Sequence, residues 1–221
     1  MKVVTFNLRY GTAEDGLDHW EARRDLLIET IDDLNPDIMG VQECLPFQAD
    51  EIGMRCVGLA HFGLGRYHSM VVDRPHETYS GEHCTIFYRP DRFRLEDCGT
   101  FWHSDTPETP GSATWGNDLA RTATWGRLGS PDDNECLFFC NTHFHWDEPY
   151  VSKAADLMVC QMANLAGSAP AILVGDFNAT PESDLHKRLV PDGSVADGLP
   201  LKDVWNTLEK SEEDAGTSHG F

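Results

Sequence analysis

Residues 171–174, Ala-Ile-Leu-Val, form an unbroken apolar run that passes straight into Gly175-Asp176-Phe177-Asn178-Ala179-Thr180-Pro181. A short run without alternation reads as a strand buried on both faces, and such a strand needs a covered sheet. An acid and an amide then stand two residues apart at its carboxyl end, where covered sheets build their sites. The rest of the chain supplies the cover. Residues 2–10 alternate as a strand, with Val4, Phe6 and Leu8 on one side. Asp18 to Glu21 resembles a capping box, and Trp20, Leu27, Ile31 and Leu34 behind it keep helical spacing. Ile38-Met39-Gly40-Val41 is a second short strand, ending at Gln42-Glu43, and a helix is expected over 47–58. Residues 60–81 and 103–118 read as long loops. Strands are expected over 82–89, 92–101, 121–128 and 136–142. After Pro149 the stripe Val151, Ala154, Ala155, Met158, Met162 and Leu165 marks a helix that Gly167 and Pro170 end. Another helix is expected from Pro181. Mixed strands and helices with hairpins in the middle predict an α/β sandwich, with no repeat or linker to divide residues 1–221 into more than one domain.

Charge bears on partners. With 17 Lys and Arg against 37 Asp and Glu, the net charge is −20. The average field repels polyanions, so long nucleic acid is expected to be a disfavoured substrate and a small phosphoester a preferred one. No apolar run approaches the ~20 residues of a membrane helix. The opening MKVVTFNLRY has no apolar leader region, so a cytoplasmic location is expected, or a secreted one after removal of a leader. Seven cysteines without a CxxC argue against a disulfide framework and a zinc ribbon. A monomer is expected.

Six polar residues fall at strand ends: Asn7, Glu43, Glu82, His143, Asp176 and Asn178. Each has a plainer reading. Asn7 suits a satisfied edge amide, Glu43 a helix-start acid, Glu82 a turn residue, and Asp176-Phe177-Asn178 an Asx-turn. Together they form a different pattern. Carboxylates and amides are hard oxygen ligands suited to Mg²⁺ or Mn²⁺. A His beside a carboxylate has a tunable proton affinity. A metal, an acid/base carboxylate and a His are what phosphoester hydrolysis needs.

The segments TFNLRY (5–10), GVQE (40–43), GEHCTIFYR (81–89), NTHF (141–144) and GDFNATP (175–181) occur in this order across nearly the whole chain. They resemble the endonuclease/exonuclease/phosphatase superfamily. Asp15-Gly16 through Trp20-Glu21 to Arg23-Arg24, with the stretches 99–115 and 120–125, is closer to a bacterial phosphohydrolase-type subgroup. The resemblance implies a four-layer α/β/β/α sandwich of two mixed sheets with outer helices. It implies metal binding by Glu43 with Asn7, and water activation by Asp176. It further implies phosphate contact by Asn178, a phosphate hydrogen bond or acid role for His143, and orientation of His143 by Glu82.

Two departures follow from the same resemblance. The family often reads NTHxDH, whereas here His145 and Trp146 fill the last two places of NTHFHW. Family members also continue past a segment like 217–221 into strands carrying Ile-Asp-Tyr-Ile and Ser-Asp-His. The chain is therefore expected to be C-terminally truncated, and His219 is not assumed to replace the lost His. The functional expectation is a Mg²⁺- or Mn²⁺-dependent phosphoesterase acting on a small or soluble phosphodiester or phosphomonoester. A nuclease for DNA or RNA is the alternative, and an inactive remnant or phosphate-binding module a second one.

Overall fold

A computed structural model describes residues 1–67, 80–132, 135–191 and 201–208. The segment 217–221 with His219, on which the truncation was argued, lies outside the described residues. So do most of the 60–81 loop and part of the 130–134 turn.

Among the described residues, eight strands lie in two sheets. The first has the order β1 (Val3–Asn7), β2 (Ile38–Gln42), β4 (Ile86–Tyr88), β3 (Ala60–Phe62). The second runs β5 (Arg94–Trp102), β6 (Thr122–Gly129), β7 (Cys136–His143), β8 (Ala171–Asp176). Each sheet mixes directions: β1 with β2 and β7 with β8 are parallel, and the other pairs are antiparallel. The helices are α1 (Trp20–Leu34), α2 (Pro46–Arg55), α3 (Tyr150–Ala166), α4 (Asp184–Leu189) and α5 (Val204–Thr207).

Side-chain alternation sorts the layers. In β2, Met39 and Val41 face outward to Leu27, Ile31 and Ile52 of α1 and α2. Ile38 faces inward to Leu128 and Phe139 of the other sheet. In β7, Phe138 and Cys140 face out to Ala154, Met158 and Met162 of α3. The result is helices, sheet, sheet, helices, as the resemblance implied. A glycine sets how close the sheets come. A Cβ on Gly40 would lie 2.6 Å from Val174 and 2.7 Å from the Asn141 amide carbon. The room it leaves lets Asn141 tie the sheets together. Its Nδ2 donates to the carbonyls of Val41 (2.8 Å) and Thr85 (2.9 Å). Its Oδ1 accepts from Gln42 Nε2 at 2.7 Å.

Boundaries moved in instructive ways. The capping box at Asp18 is not formed. Gly16–Asp18 closes a 3₁₀ turn, and His19 precedes α1 without a side-chain cap. Arg23 instead reaches back from α1 to the carbonyls of Asp18 (3.0 Å) and Arg9 (2.7 Å), fixing the loop after β1. β3 lies inside an expected loop, because three residues are too few to show a period. The 82–89 strand shrinks to Ile86–Tyr88, because residues 80–85 follow an irregular path past the sheet end. The seven cysteines are all free. No helix among the described residues is long and apolar enough to cross a membrane.

His103, just past β5, lies between Phe101 and Phe144 and is 2% exposed. The Thr142 hydroxyl donates to the Thr122 carbonyl (3.0 Å), so His103 Nε2 donates to Thr142 Oγ1 (3.2 Å). Its Nδ1 has no partner. Burial, aided by the Arg121 charge, pushes its pKa down to about 3. In the unfolded chain the same ring protonates near pH 6.5. Below that pH the unfolded state binds one proton more than the native state, so stability falls as pH falls. Urea unfolding between pH 6 and 4 should show His103 contributing a loss of about 1.4 kcal/mol per pH unit. His103→Phe should flatten the slope by that amount, and an unchanged slope in the variant would show that His103 is not held neutral.

Candidate active site

Parallel pairing lines up strand ends. Asn7 is in register with Gln42, and His143 with Asp176. The carboxyl ends of β1, β2, β7 and β8 therefore open on one rim, between the sheets. The chain path is bent there on purpose. Arg9 (φ 57°), Glu43 (φ 56°) and Asn178 (φ 47°) adopt the left-handed region although none is glycine. Such strain persists only where surrounding structure enforces it, and it collects at functional sites. Gly175 answers a steric demand, since a Cβ there would sit 2.2 Å from the Thr142 carbonyl oxygen.

Asn7 is the hub. Its Nδ2 donates to Glu43 Oε1 at 2.9 Å and to Asp176 Oδ2 at 2.8 Å. One amide thus holds a carboxylate from each sheet. The second oxygen of Glu43 accepts from the Tyr10 N–H at 3.2 Å. The loop that presents Tyr10 is braced by an Arg9–Asp15 ion pair of 2.7 Å, which gives the Asp15 to Arg24 motif a structural role.

Asp176-Phe177-Asn178 forms the turn of its plain reading and at the same time turns Asp176 toward the other sheet. Asp176 Oδ1 accepts from the Asn178 N–H at 3.0 Å, an Asx-turn, while Oδ2 faces Asn7. The Asn178 amide nitrogen is engaged elsewhere than expected. It donates to His143 Nε2 (3.0 Å) and to the Phe144 carbonyl (2.9 Å). His143 Nε2 is then an acceptor, and the ring proton sits on Nδ1, which is buried without a partner. Burial, with Arg121, Arg66 and His103 adding repulsion, pushes the His143 pKa down to about 2. The His143 ring is therefore held neutral, with its one N–H on Nδ1.

Glu82 lines the same small pocket as Glu43 and His143, but its partner is Arg66, not His143. Burial lifts the Glu82 carboxyl above the usual range even beside that guanidinium. The sequence reasoning missed two residues, Arg66 and Arg121, which also line this pocket. Arg121 is 4% exposed, and its Nε and Nη1 have no hydrogen-bond partner. Burial brings its pKa down to about 10. A buried cation with unspent N–H groups is costly unless an anion completes it. The available signal was an arginine at the mouth of a buried strand, in Ala120-Arg121-Thr122.

Among the described residues, no three His, Cys, Asp or Glu side chains gather as a metal cage. The carboxylate oxygens of Glu43 and Asp176 still suit an ion that takes few protein ligands and keeps water and phosphate for the rest, as Mg²⁺ does, whereas Asn7 Oδ1 accepts from the Arg9 N–H at 2.9 Å and its Nδ2 positions the two carboxylates.

A family model described as the Endonuclease/Exonuclease/phosphatase family matches residues 4–220. The chain belongs to this family. The endonuclease/exonuclease/phosphatase chain is similar to a mannosyl-6-phosphatase of Bacteroides thetaiotaomicron, at 30% identity and a TM-score of 0.77, over 86% of this chain and 70% of that one. It is similar to a family member from Bacteroides vulgatus, at 31% identity and a TM-score of 0.75, over 83% and 68%. A protein of Acanthamoeba polyphaga mimivirus is 28% identical over 185 residues, 80% of this chain and 67% of that protein.

The expectation that net charge disfavours nucleic acid is overturned. Structures of the same fold include D. rerio TDP2 with a single-stranded DNA product (16% identity, TM-score 0.65). They also include ANGEL2 with adenosine-2',3'-vanadate (17%, 0.65). The physical reason is that a whole-chain average does not describe one rim: Arg66 and Arg121 line the pocket beside Glu43 and Glu82, so the −20 of the chain is not the local charge there.

Proposed function

We propose that this protein is a divalent-metal-dependent phosphoester hydrolase acting on a phosphoester of a nucleotide or nucleic-acid strand. The observation that carries the chemistry is the Asn7 amide joining Glu43 and Asp176 beside a pocket lined by Arg121, whose Nε and Nη1 have no hydrogen-bond partner among the described residues. Endonucleases, exonucleases and phosphatases share one step, displacement of an alcohol from phosphorus by water. Glu43 and Asp176, positioned by Asn7, would hold Mg²⁺ or Mn²⁺, which supplies charge neutralisation at the phosphate oxygens.

The chain's own groups have separate tasks. Asp176, fixed by two hydrogen bonds, accepts a proton from the attacking water or aligns it. Arg121 and the Nδ1–H of His143 present donors for the charge that develops on the phosphoryl oxygens. Asn178 keeps His143 in the tautomer that makes Nδ1 a donor. Arg66 neutralises Glu82 and so limits the negative charge around an incoming phosphate.

The nucleotide reading takes its support from the ligands of TDP2 and ANGEL2. A second reading, a sugar phosphate monoester, is favoured by the 30% identity to a mannosyl-6-phosphatase. Purified protein with Mn²⁺ should release phosphate from, or cleave, a short single-stranded oligonucleotide faster than it dephosphorylates mannose 6-phosphate. EDTA should abolish both activities. Turnover of mannose 6-phosphate alone would put the second reading in place of the first. No turnover of either with Mn²⁺ bound would remove the hydrolase reading.

A further inference from the structure

Trp146 is the residue that neither the fold nor the hydrolytic step explains. It is 58% exposed, and it is the one aromatic among the large exposed hydrophobic residues of the described chain. The others carry no ring: Leu17, Leu26, Leu34, Met54 and Val57 belong to the α1 and α2 side, and Val204 and Leu208 to α5 and its end. Trp146 instead follows β7 three residues after His143. Its two predecessors hold it in place. Phe144 is fully buried and stacks on Phe177 at 5.6 Å. His145 is 4% exposed and stacks on the Trp146 ring at 4.6 Å and 24°. His145 is in turn braced by Tyr150, edge-on at 5.0 Å, and by the Asp147 N–H, which donates to Nδ1 at 2.9 Å. The indole is therefore a supported ring, not a loose surface side chain.

Arg121 connects this ring to the pocket. Its guanidinium carbon lies 5.4 Å from the Trp146 ring centroid, while the same side chain lines the pocket with Glu43 and His143. Two of its nitrogens are buried and unpartnered, which calls for an anion within their reach. A phosphate held by Arg121 would carry the next part of its ester up to the indole. A flat ring 5.4 Å from a guanidinium that would hold the phosphate suits a nucleobase, because base–aromatic stacking tolerates any base and needs no further hydrogen bonds.

We propose that Trp146 is a specificity-determining platform on which the base adjoining the scissile phosphate stacks. The proposal rests on the nucleotide reading above. Among the groups assigned to hydrolysis, Trp146 makes a ring contact with Arg121, which binds rather than activates, so its removal should alter recognition rather than chemistry.

The test compares wild type, Trp146→Ala and Trp146→Phe with Mn²⁺ on adenosine phosphate and on ribose phosphate, which carries the same ester without the base. Trp146→Ala should raise KM for adenosine phosphate about tenfold, within the range for losing one stacked base, and leave kcat within about twofold. KM for ribose phosphate should not change, and Trp146→Phe should restore most of the affinity for adenosine phosphate. A wild-type preference for the base that survives in Trp146→Ala overturns the platform alone. Equal handling of both substrates by the wild type overturns the nucleotide reading and the platform with it.

Discussion

Asp176→Asn should lower kcat at least ~100-fold on any phosphoester the protein hydrolyses, the usual loss on removing a positioned acid/base. The substitution keeps the size of the side chain and keeps Oδ1, which closes the Asx-turn with the Asn178 N–H. It replaces the second anionic oxygen, the one that accepts from Asn7 Nδ2 at 2.8 Å, with a neutral NH₂ that cannot accept that bond. That oxygen is also 3.8 Å from His143 Nε2. Stability should change little, because the side chain is 30% exposed and one hydrogen bond is worth about 1 kcal/mol. KM should move far less than kcat if Asp176 acts on the water rather than on the bound ester. Unreduced turnover, or a loss that tracks a fall in Tm, would end the assignment of Asp176 to the chemistry.

The site was legible where a strand's polarity changed abruptly. Asp176 and Asn178 after the β8 run, His143 at the end of β7 and Glu43 after β2 could each be placed from sequence, because an apolar run stops at a polar residue; β8 itself is the edge strand of its sheet and is only half-buried along Ala171–Asp176, not covered on both faces as its composition suggested. Their division of labour was not legible. Asn178 appeared as a phosphate contact, yet its amide is spent on His143 and the Phe144 carbonyl. Glu82 appeared as the partner of His143, yet it pairs with Arg66, an arginine from a stretch with no period to place it. Asn141 and Gln42 stand inside the same motifs as the site residues and turn out to bind one sheet to the other. Only the Gly40 gap makes room for that tie, and nothing in the one-dimensional pattern reports how close two sheets come. Net charge failed for a related reason. It averages over a surface, whereas a substrate meets the few charges that the fold concentrates at one rim.

Arg121→Met should separate stability from function in opposite directions. In the wild type the guanidinium is buried and leaves Nε and Nη1 without hydrogen-bond partners, so the fold bears a desolvation cost that the nearby Glu82 and Glu43 charges and the Trp146 ring offset only in part. Methionine fills similar space without that cost, and the variant should melt higher, by an amount of up to about 3 kcal/mol, as buried charges replaced by apolar groups often do. The same change removes charge-assisted hydrogen bonds to a phosphate, which are worth about 2–5 kcal/mol when desolvated. KM should therefore rise roughly 30-fold or more. Thermal melting and steady-state kinetics on one preparation give both quantities. A structural arginine would behave in the reverse way, with the variant less stable and its KM unchanged. The opposed pair of shifts is what a cation kept in a costly place for its ligand must produce, since the fold alone would have discarded it.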